Sequence, residues 1–413
     1  MRKERKKKEE KEMRYQVSRF VVATDPQSGI IQHTKTGNRL LVSEETLKLL
    51  SLFSKPKTFE EVLSRTSSDE NGRLEIAGFL EQLAKEKILV PEEETEERIN
   101  WGVLTDKVLV ESPLRTFFSC PRRSLAALED EDIVFLGVPF DLGTTGYPGA
   151  RFGPDKMREL SSDAFEYHTD IFTGKCKGWF SSGRNKTILE GVKMVDVGNV
   201  LLQVGESFER FYNRVDQVIR QIIVHGCFPV IVGGDHSCSY PILRAMKEQY
   251  GSVSVIHIDA HTDLGETIPN VSNNHGNVFT RVREENLVRH LHQFGIRGCI
   301  GKKLIAADYS LHTLEDLKRD GVEKVVASLN QSQPYYLSLD IDVLDPAFAP
   351  GTGTPITNGM TPEMLFALLS SVAGRVKLIG CDVVEVNPML DRNNQTSELA
   401  LSTIFHILSE VFR

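Results

Sequence analysis

Residues 253–263 read Val-Ser-Val-Ile-His-Ile-Asp-Ala-His-Thr-Asp. A β-rich run that ends in carboxylates and an imidazole reads as a strand buried on both faces, its carboxyl end opening onto a ligand crevice. Runs of the same kind lie on either side: IVFLGVP at 133–139, FPVIVGG at 228–234, HQFGI at 292–296, YYLSLDID at 335–342 and VKLIGCDVVEV at 376–386. Amphipathic stretches such as ERFYNRVDQVIRQIIVH (209–225) and TPEMLFALLSSVAG (361–374) alternate with them. Buried strands alternating with helices predict an α/β domain over 131–413, a parallel sheet covered on both faces.

The chemistry gathers where those strands stop. FPVIV is followed by Gly233-Gly234-Asp235-His236-Ser237, VSVIHI by Asp259-Ala260-His261-Thr262-Asp263, and YYLSL by Asp340-Ile341-Asp342-Val343-Leu344-Asp345-Pro346. Side chains on extended backbone alternate faces, so Asp259, His261 and Asp263 aim one way, and Asp340 and Asp342 likewise. Three strand ends thus converge six ligands, His236, Asp259, His261, Asp263, Asp340 and Asp342, on one crevice. Four carboxylates in a low-dielectric cleft repel one another unless cations neutralise them, and two divalent ions balance their charge. An oxygen-rich set with two imidazoles suits Mn²⁺, while Ni²⁺ or Zn²⁺ can also enter a His/Asp site. Two ions about 3.5–4 Å apart can share a water, lower its pKa and direct it at an electrophilic carbon.

The chain has 413 residues and a formal net charge of −8, from 49 Lys and Arg against 57 Asp and Glu. That balance argues against a nucleic-acid binder working through bulk positive charge. No apolar run reaches the roughly 18 residues that a membrane span needs, and MRKERKKKEEKE is charged where a signal peptide would be apolar. Cys120, Cys176, Cys227, Cys238, Cys299 and Cys381 form no C-x-x-C pair. Reduced thiols and a cytoplasmic location are the expectation.

The amino-terminal third has a different grammar. Residues 1–14 read as a charged flexible tail. Beyond it FVVAT, GIIQHT and RLLVS are short β-rich runs punctuated by Asp25-Pro26, Gly29 and Gly37-Asn38, a three-stranded meander. Helices follow: Ser43 opens SEETLKLLSLF, Thr58 caps TFEEVLSRT, and RLEIAGFLEQLAKEKI runs on before LV closes the unit. Residues 15–92 therefore read as a β3α3, winged-helix-sized module, and 93–130, beginning in the acidic EETEE, as a linker able to pack on the next domain.

The segments GGDHS, DAHTD and SLDIDVLDP resemble the three metal-binding motifs of the ureohydrolase family of arginases, agmatinases and guanidino-acid hydrolases. GVPFDLGTTGYPGARFGP and GTGTP resemble the agmatinase branch. The resemblance covers 131–413 and implies a three-layer α/β/α fold, a dinuclear Mn²⁺ site and hydrolysis of a guanidino group to urea and an amine. It implies one ion on His236 and Asp263, the other on His261 and Asp342, with Asp259 and Asp340 bridging and Asp235 behind them. It also implies a proton-transfer role for His275, in Asn274-His275-Gly276, and pairing of Glu385 with the substrate guanidinium. Asp263, His275 and Glu385 are then the catalytic residues, and Asn274, His275 and Glu385 the substrate-binding ones. Family members are commonly trimers or hexamers, so a homo-oligomer is expected.

The substrate is a separate question. Arginases place polar residues after DAHTD and an aspartate after the later G-[IL]-R segment, to hold the α-carboxylate and α-amine. This chain has Leu264-Gly265 and, after Gly295-Ile296-Arg297, Gly298. Free arginine is disfavoured, because recognition of a zwitterionic head needs buried polar groups. The 263–275 loop also differs in length from those of agmatinase and arginase. Residues 15–92 resemble the leader-peptide recognition domain of enzymes that modify ribosomally made peptides, a fold that binds a peptide as an added strand. Together these resemblances imply a peptide arginase that docks a precursor's leader and converts core arginines to ornithine. The alternatives are a small-molecule agmatinase or guanidino-acid hydrolase, a free-arginine arginase, a single-zinc deacetylase on the same fold, and a non-catalytic peptide-binding relative.

Overall fold

The computed structural model describes residues 13–18, 21–25, 30–33, 39–66, 70–86, 88–91, 109–164, 175–251, 253–266, 274–299 and 305–413. Residues 1–12 of the expected tail, 92–108 of the expected linker and 267–273 before His275 lie outside the described residues. The chain forms two compact units, Met1–Lys107 and Val108–Arg413.

In the first unit β1 (Arg14–Val17) pairs antiparallel with both β5 (Lys57–Thr58) and β6 (Leu89–Pro91). A separate antiparallel meander joins β2 (Val21–Asp25), β3 (Ile30–His33) and β4 (Arg39–Leu41). Helix α1 (Glu44–Ser51) starts at Ser43, whose hydroxyl accepts from Thr46 N–H at 3.2 Å. Before α2 (Phe59–Thr66), Thr58 and Glu61 cap each other reciprocally, at 2.8 and 3.1 Å. With α3 (Glu70–Lys85) these helices bury Phe53, Val62, Leu63, Leu80 and Leu83 around Ile31 and Leu89. The short closing strand, which ends the unit as expected, lies in a second sheet with β1 and β5, apart from the meander.

The second unit holds a nine-stranded sheet in the order β15-β14-β13-β16-β17-β12-β8-β11-β7. Its members are β7 (Val110–Glu111), β8 (Ile133–Gly137), β11 (Met194–Val200), β12 (Phe228–Val232), β13 (Val253–Ile258), β14 (Val288–Ile296), β15 (Tyr309–Thr313), β16 (Pro334–Asp340) and β17 (Lys377–Val384). Every pairing is parallel except that of β7, which lies antiparallel on β11. A small hairpin of β9 (Trp179–Ser181) and β10 (Lys186–Ile188) stands apart.

Two hydrophobic cores lie on the two faces of the sheet, the three-layer arrangement expected. On one face α4 (Gly153–Ala164), α8 (Leu314–Asp320), α9 (Val322–Val326), α10 (Pro362–Arg375) and α11 (Gln395–Val411) cover residues such as Phe135, Ile256, Phe294 and Leu337. On the other, α5 (Phe208–Ile223), α6 (Ser239–Tyr250) and α7 (Val278–Glu284) cover Val134, Ile231, Val255 and Tyr336. Strands buried on both sides explain the near-continuous apolar runs.

The boundary differs from the one read in the sequence. Residues 109–130, expected to end a linker, are built into the second unit: β7 extends the sheet, and Phe117 and Phe118 are buried against Phe135. Their periodicity is weak because they form short turns and one two-residue strand instead of a helix. No helix among the described residues is long and apolar enough to cross a membrane.

Candidate active site

Beyond β12 the chain passes under the loop that follows β8. A Cβ on Gly234 would overlap the Phe140 carbonyl, which accepts from Asp235 N–H at 2.7 Å. Only glycine allows so close an approach. Asp235 then caps the turn His236–Cys238, accepting from Ser237 N–H at 3.1 Å, and its other oxygen accepts from Gly143 N–H at 2.7 Å. This seats Asp235 behind the crevice and directs His236 into it.

All six expected ligands meet there. His236 Nδ1 lies 3.0 Å from Asp263 Oδ2, 3.1 Å from Asp259 Oδ2 and 3.3 Å from Asp340 Oδ2. His261 Nδ1 lies 3.0 Å from Asp342 Oδ2 and 3.5 Å from Asp259 Oδ1. Asp259 therefore spans the two groups through its two oxygens. Asp342 is held by its own N–H donating to Asp340 Oδ1 at 2.8 Å. Buried Arg297 clasps the same turn by donating to the carbonyls of Asp342, Val343 and Leu344. Asp263 has φ +50° and Glu385 φ +63°. Both non-glycine residues sit in the left-handed region, a strain that is characteristically stored at functional sites.

The donor set asks for a cation. Ser338 Oγ–H donates to Asp382 Oδ1 at 2.7 Å, so the Ser338 oxygen accepts from His236 Nε2–H at 2.9 Å. A neutral His236 then carries its lone pair on Nδ1, facing three carboxylate oxygens and, among the described residues, no donor; without a cation, burial opposes charge on the ring but Asp259, Asp263 and Asp340 hold its imidazole well up. Lone pairs facing lone pairs in a dry cleft are stable only around a positive ion. In its absence protons take that place. Burial, then Asp342 and Asp259, push the Asp340 carboxyl well up, and burial and Asp259 raise Asp342 to about 6. Burial works against charge on His261, yet Asp259 and Asp342 hold its imidazole up at about 12.

Next to this cluster, His275 Nδ1 is 2.9 Å from Glu385 Oε1, which also accepts from His236 N–H at 2.9 Å. Both contacts fall on Oε1. Glu385 Oε2 faces Gly353, where even a Cβ would stand 3.8 Å away. Burial opposes a charged His275, but Glu385 outweighs it and raises the imidazole to about 9. Burial and then Glu385 raise Asp235 to about 7. Asn274 opens the turn that seats His275, its N–H donating to Asn277 Oδ1 at 3.1 Å. Gly265 lies where a Cβ would meet the Gly276 carbonyl at 2.7 Å, and Gly298 has φ +76°. Both glycines thus have conformational reasons of their own, beside any bearing on the substrate.

Several supporting residues escaped the sequence reading. Fully buried His257 contacts Asp259 Oδ2 through Nε2 at 2.7 Å, and the Gln293 amide reaches its Nδ1 at 2.8 Å. Tyr309 O–H donates to Gln293 Oε1 and Gln293 Nε2–H to the Thr262 carbonyl, which fixes the amide orientation. His257 Nδ1 is therefore an acceptor and Nε2 carries the proton. Although one of its nitrogens lies within 4.8 Å of candidate ligand atoms of His236, Asp259 and Asp263, the proton on Nε2 and the amide on Nδ1 fit His257 to orient Asp259. Ser338 and Asp382 do the same for His236. The available signal was period two: His257 shares the inward-facing register of Asp259, and Ser338 that of Asp340.

The sequence model described as the arginase family matches residues 131–409. The chain belongs to the arginase family. Human mitochondrial guanidino acid hydrolase is 32% identical over 290 residues, covering 68% of this chain and 78% of that protein. Mitochondrial agmatinase of Gallus gallus is 33% identical over 290 residues, covering 68% and 81%. The crystal structure of a hypothetical agmatinase from Burkholderia thailandensis superposes with a TM-score of 0.63 at 29% identity, covering 73% of this chain and 91% of that one. As an arginase-family member the chain is a hydrolase acting on guanidino C–N bonds. The family consists of binuclear metal enzymes, and the two groups around His236 and His261 can hold metal.

Proposed function

We propose that the second unit hydrolyses a small guanidino compound, agmatine or a guanidino acid, to urea and the corresponding amine, with two Mn²⁺ ions as cofactor. His236, Asp263, Asp259 and Asp340 would hold one ion, and His261, Asp342, Asp259 and Asp340 the other. The observation that carries the reading is the His236 Nδ1 lone pair ringed by three carboxylates beside Glu385 and His275. When bound, the ions would supply a shared water of lowered pKa close to an electrophilic carbon.

The rest falls to the side chains. Glu385 Oε2 accepts from the guanidinium, fixing its plane and keeping it charged, so that its carbon stays electrophilic. His275 moves the proton to the leaving amine at Nε2, since Nδ1 is held by Glu385. Buried His257 orients the Asp259 carboxylate, and Ser338 fixes the tautomer of His236. All six cysteines are unpaired, which supports a reducing compartment, the cytoplasm.

Relatives acting on small guanidines favour this reading over the peptide arginase expected from residues 15–92. Incubation of the Mn²⁺-loaded chain with agmatine, a series of guanidino acids, arginine and an arginine-containing peptide, scored for urea, tests it. Urea from agmatine or a guanidino acid is expected. No urea from any small guanidine, together with conversion of peptidyl arginine to ornithine, would overturn it.

A further inference from the structure

His275 meets Thr145 through two atoms of that residue. Thr145 N–H donates to His275 Nε2 at 3.0 Å, and Thr145 Oγ1 stands 2.8 Å from the same nitrogen. The backbone N–H can serve only a neutral ring, whose Nε2 is a lone pair. The hydroxyl oxygen can accept from Nε2–H once the ring is charged. Among the described residues these are the hydrogen-bond partners of Nε2, while Glu385 Oε1 holds Nδ1 and Gly143 O accepts from the backbone N–H at 3.0 Å. His275 is buried and Thr145 exposed. A buried imidazolium with an unmatched N–H is costly, so a proton-carrying histidine here needs an acceptor that does not require the ring to move.

We propose that Thr145 is the positioning residue that lets His275 change protonation state in place, its N–H seating the neutral ring and its hydroxyl the charged one. The inference rests on the reading of His275 as the proton carrier. The acidic groups facing the ring are Glu385 in contact, with Asp235 and Asp263 further off. All three favour the imidazolium whether Thr145 is present or not. What Thr145 adds is the balance at Nε2, and removing only the hydroxyl leaves the contact that favours the neutral form.

The hydroxyl can also donate to the neutral Nε2, but its bond to the charged ring is the stronger one. Its loss therefore lowers the His275 pKa, so the alkaline limb of the kcat–pH profile, where the imidazolium is lost, moves to lower pH. A hydrogen bond to a charged group corresponds to a shift of about one pH unit. The experiment compares Thr145→Val, Thr145→Ser and His275→Asn in the Mn²⁺-loaded full chain, with whichever guanidine the wild type turns over, and monitors Tm. Thr145→Val should keep the wild-type Tm and move the limb down by about one unit, Thr145→Ser should restore it, and His275→Asn should abolish it. An unmoved limb in Thr145→Val while His275→Asn loses it would overturn the role of Thr145 and leave the function standing. Impairment of Thr145→Ser equal to that of Thr145→Val would overturn it too. Absence of urea from the wild type with every guanidine would instead remove the functional reading beneath it.

Discussion

Replacing Ser338 by alanine removes one oxygen from the interior and should weaken metal binding. In the wild type His236 Nε2–H has Ser338 Oγ as its partner at 2.9 Å, and Ser338 in turn donates to Asp382 at 2.7 Å. Asp382 keeps a second donor, Ser239 Oγ at 2.9 Å, so the main loss falls on His236. A metal on Nδ1 forces the ring proton onto Nε2, where in Ser338→Ala nothing accepts it. An unsatisfied buried donor costs about 1–3 kcal/mol. The metal-free ring escapes most of that cost by carrying its proton on Nδ1, among the oxygens of Asp259, Asp263 and Asp340 at 3.0–3.3 Å. The penalty therefore lands on the bound state, and affinity for the ion on His236 should fall about 10–100-fold. Competition with a chromophoric chelator would measure it, and the ion on His261 should be released at its wild-type concentration. A Ser338→Ala protein that binds both ions within about twofold of wild type, a difference of about 0.4 kcal/mol, would refute the tautomer argument.

Three further outcomes follow from the same geometry. Metal-free protein should gain thermal stability as pH falls from 8 to 5, because Asp235 and Asp342 titrate near 7 and 6 when folded, above their ordinary value of 3.8, and His261 and His275 are held up at about 12 and 9, together outweighing His292, which burial holds down at about 3. Groups with raised pKa stabilise the fold when protonated, and that contribution is lost as pH rises; metal-loaded protein should show the opposite slope, so calorimetric Tm curves with and without Mn²⁺ converge at acid pH. Gln293→Leu strips His257 of the amide that sets its proton, so Asp259 loses its orientation and metal affinity should drop about 10–100-fold by the chelator assay. Gly265→Ala pushes against the Gly276 carbonyl and displaces the His275 turn; turnover should fall by up to about 100-fold while metal content by elemental analysis stays at the wild-type level.

The parts of this enzyme that the sequence made legible are those in which one residue's surroundings are its neighbours in the chain. VSVIHI and FPVIV read as buried strands because both faces of each are covered, and the acids after them had no apolar role to play. The convergence of His236, Asp259, His261, Asp263, Asp340 and Asp342 is therefore legible in the sequence. His257 was hidden because a histidine inside an apolar run looks like a core residue until its two nitrogens are traced to Asp259 and Gln293. Thr145 lies 130 positions from His275 in the chain, and no local pattern marks a threonine in a glycine-rich loop. The strand Arg14–Val17 and the edge strand Val110–Glu111, of four and two residues, are too short for alternation to register in the sequence. Phe117 and Phe118 read as linker in the sequence because their burial depends on Phe135, in a strand that comes later in the chain.

On the proposed reading Asp259 and Asp340 would serve both ions, and turnover of a small guanidine would need both. This is tested most directly by titrating the metal-free chain with Mn²⁺ and following urea release against bound metal. The account predicts activity that rises to a maximum only at two ions per chain, and loss of metal and activity together in Asp259→Asn. Full activity at one ion per chain, or undiminished urea release by an Asp259→Asn protein that has lost its metal, would contradict it.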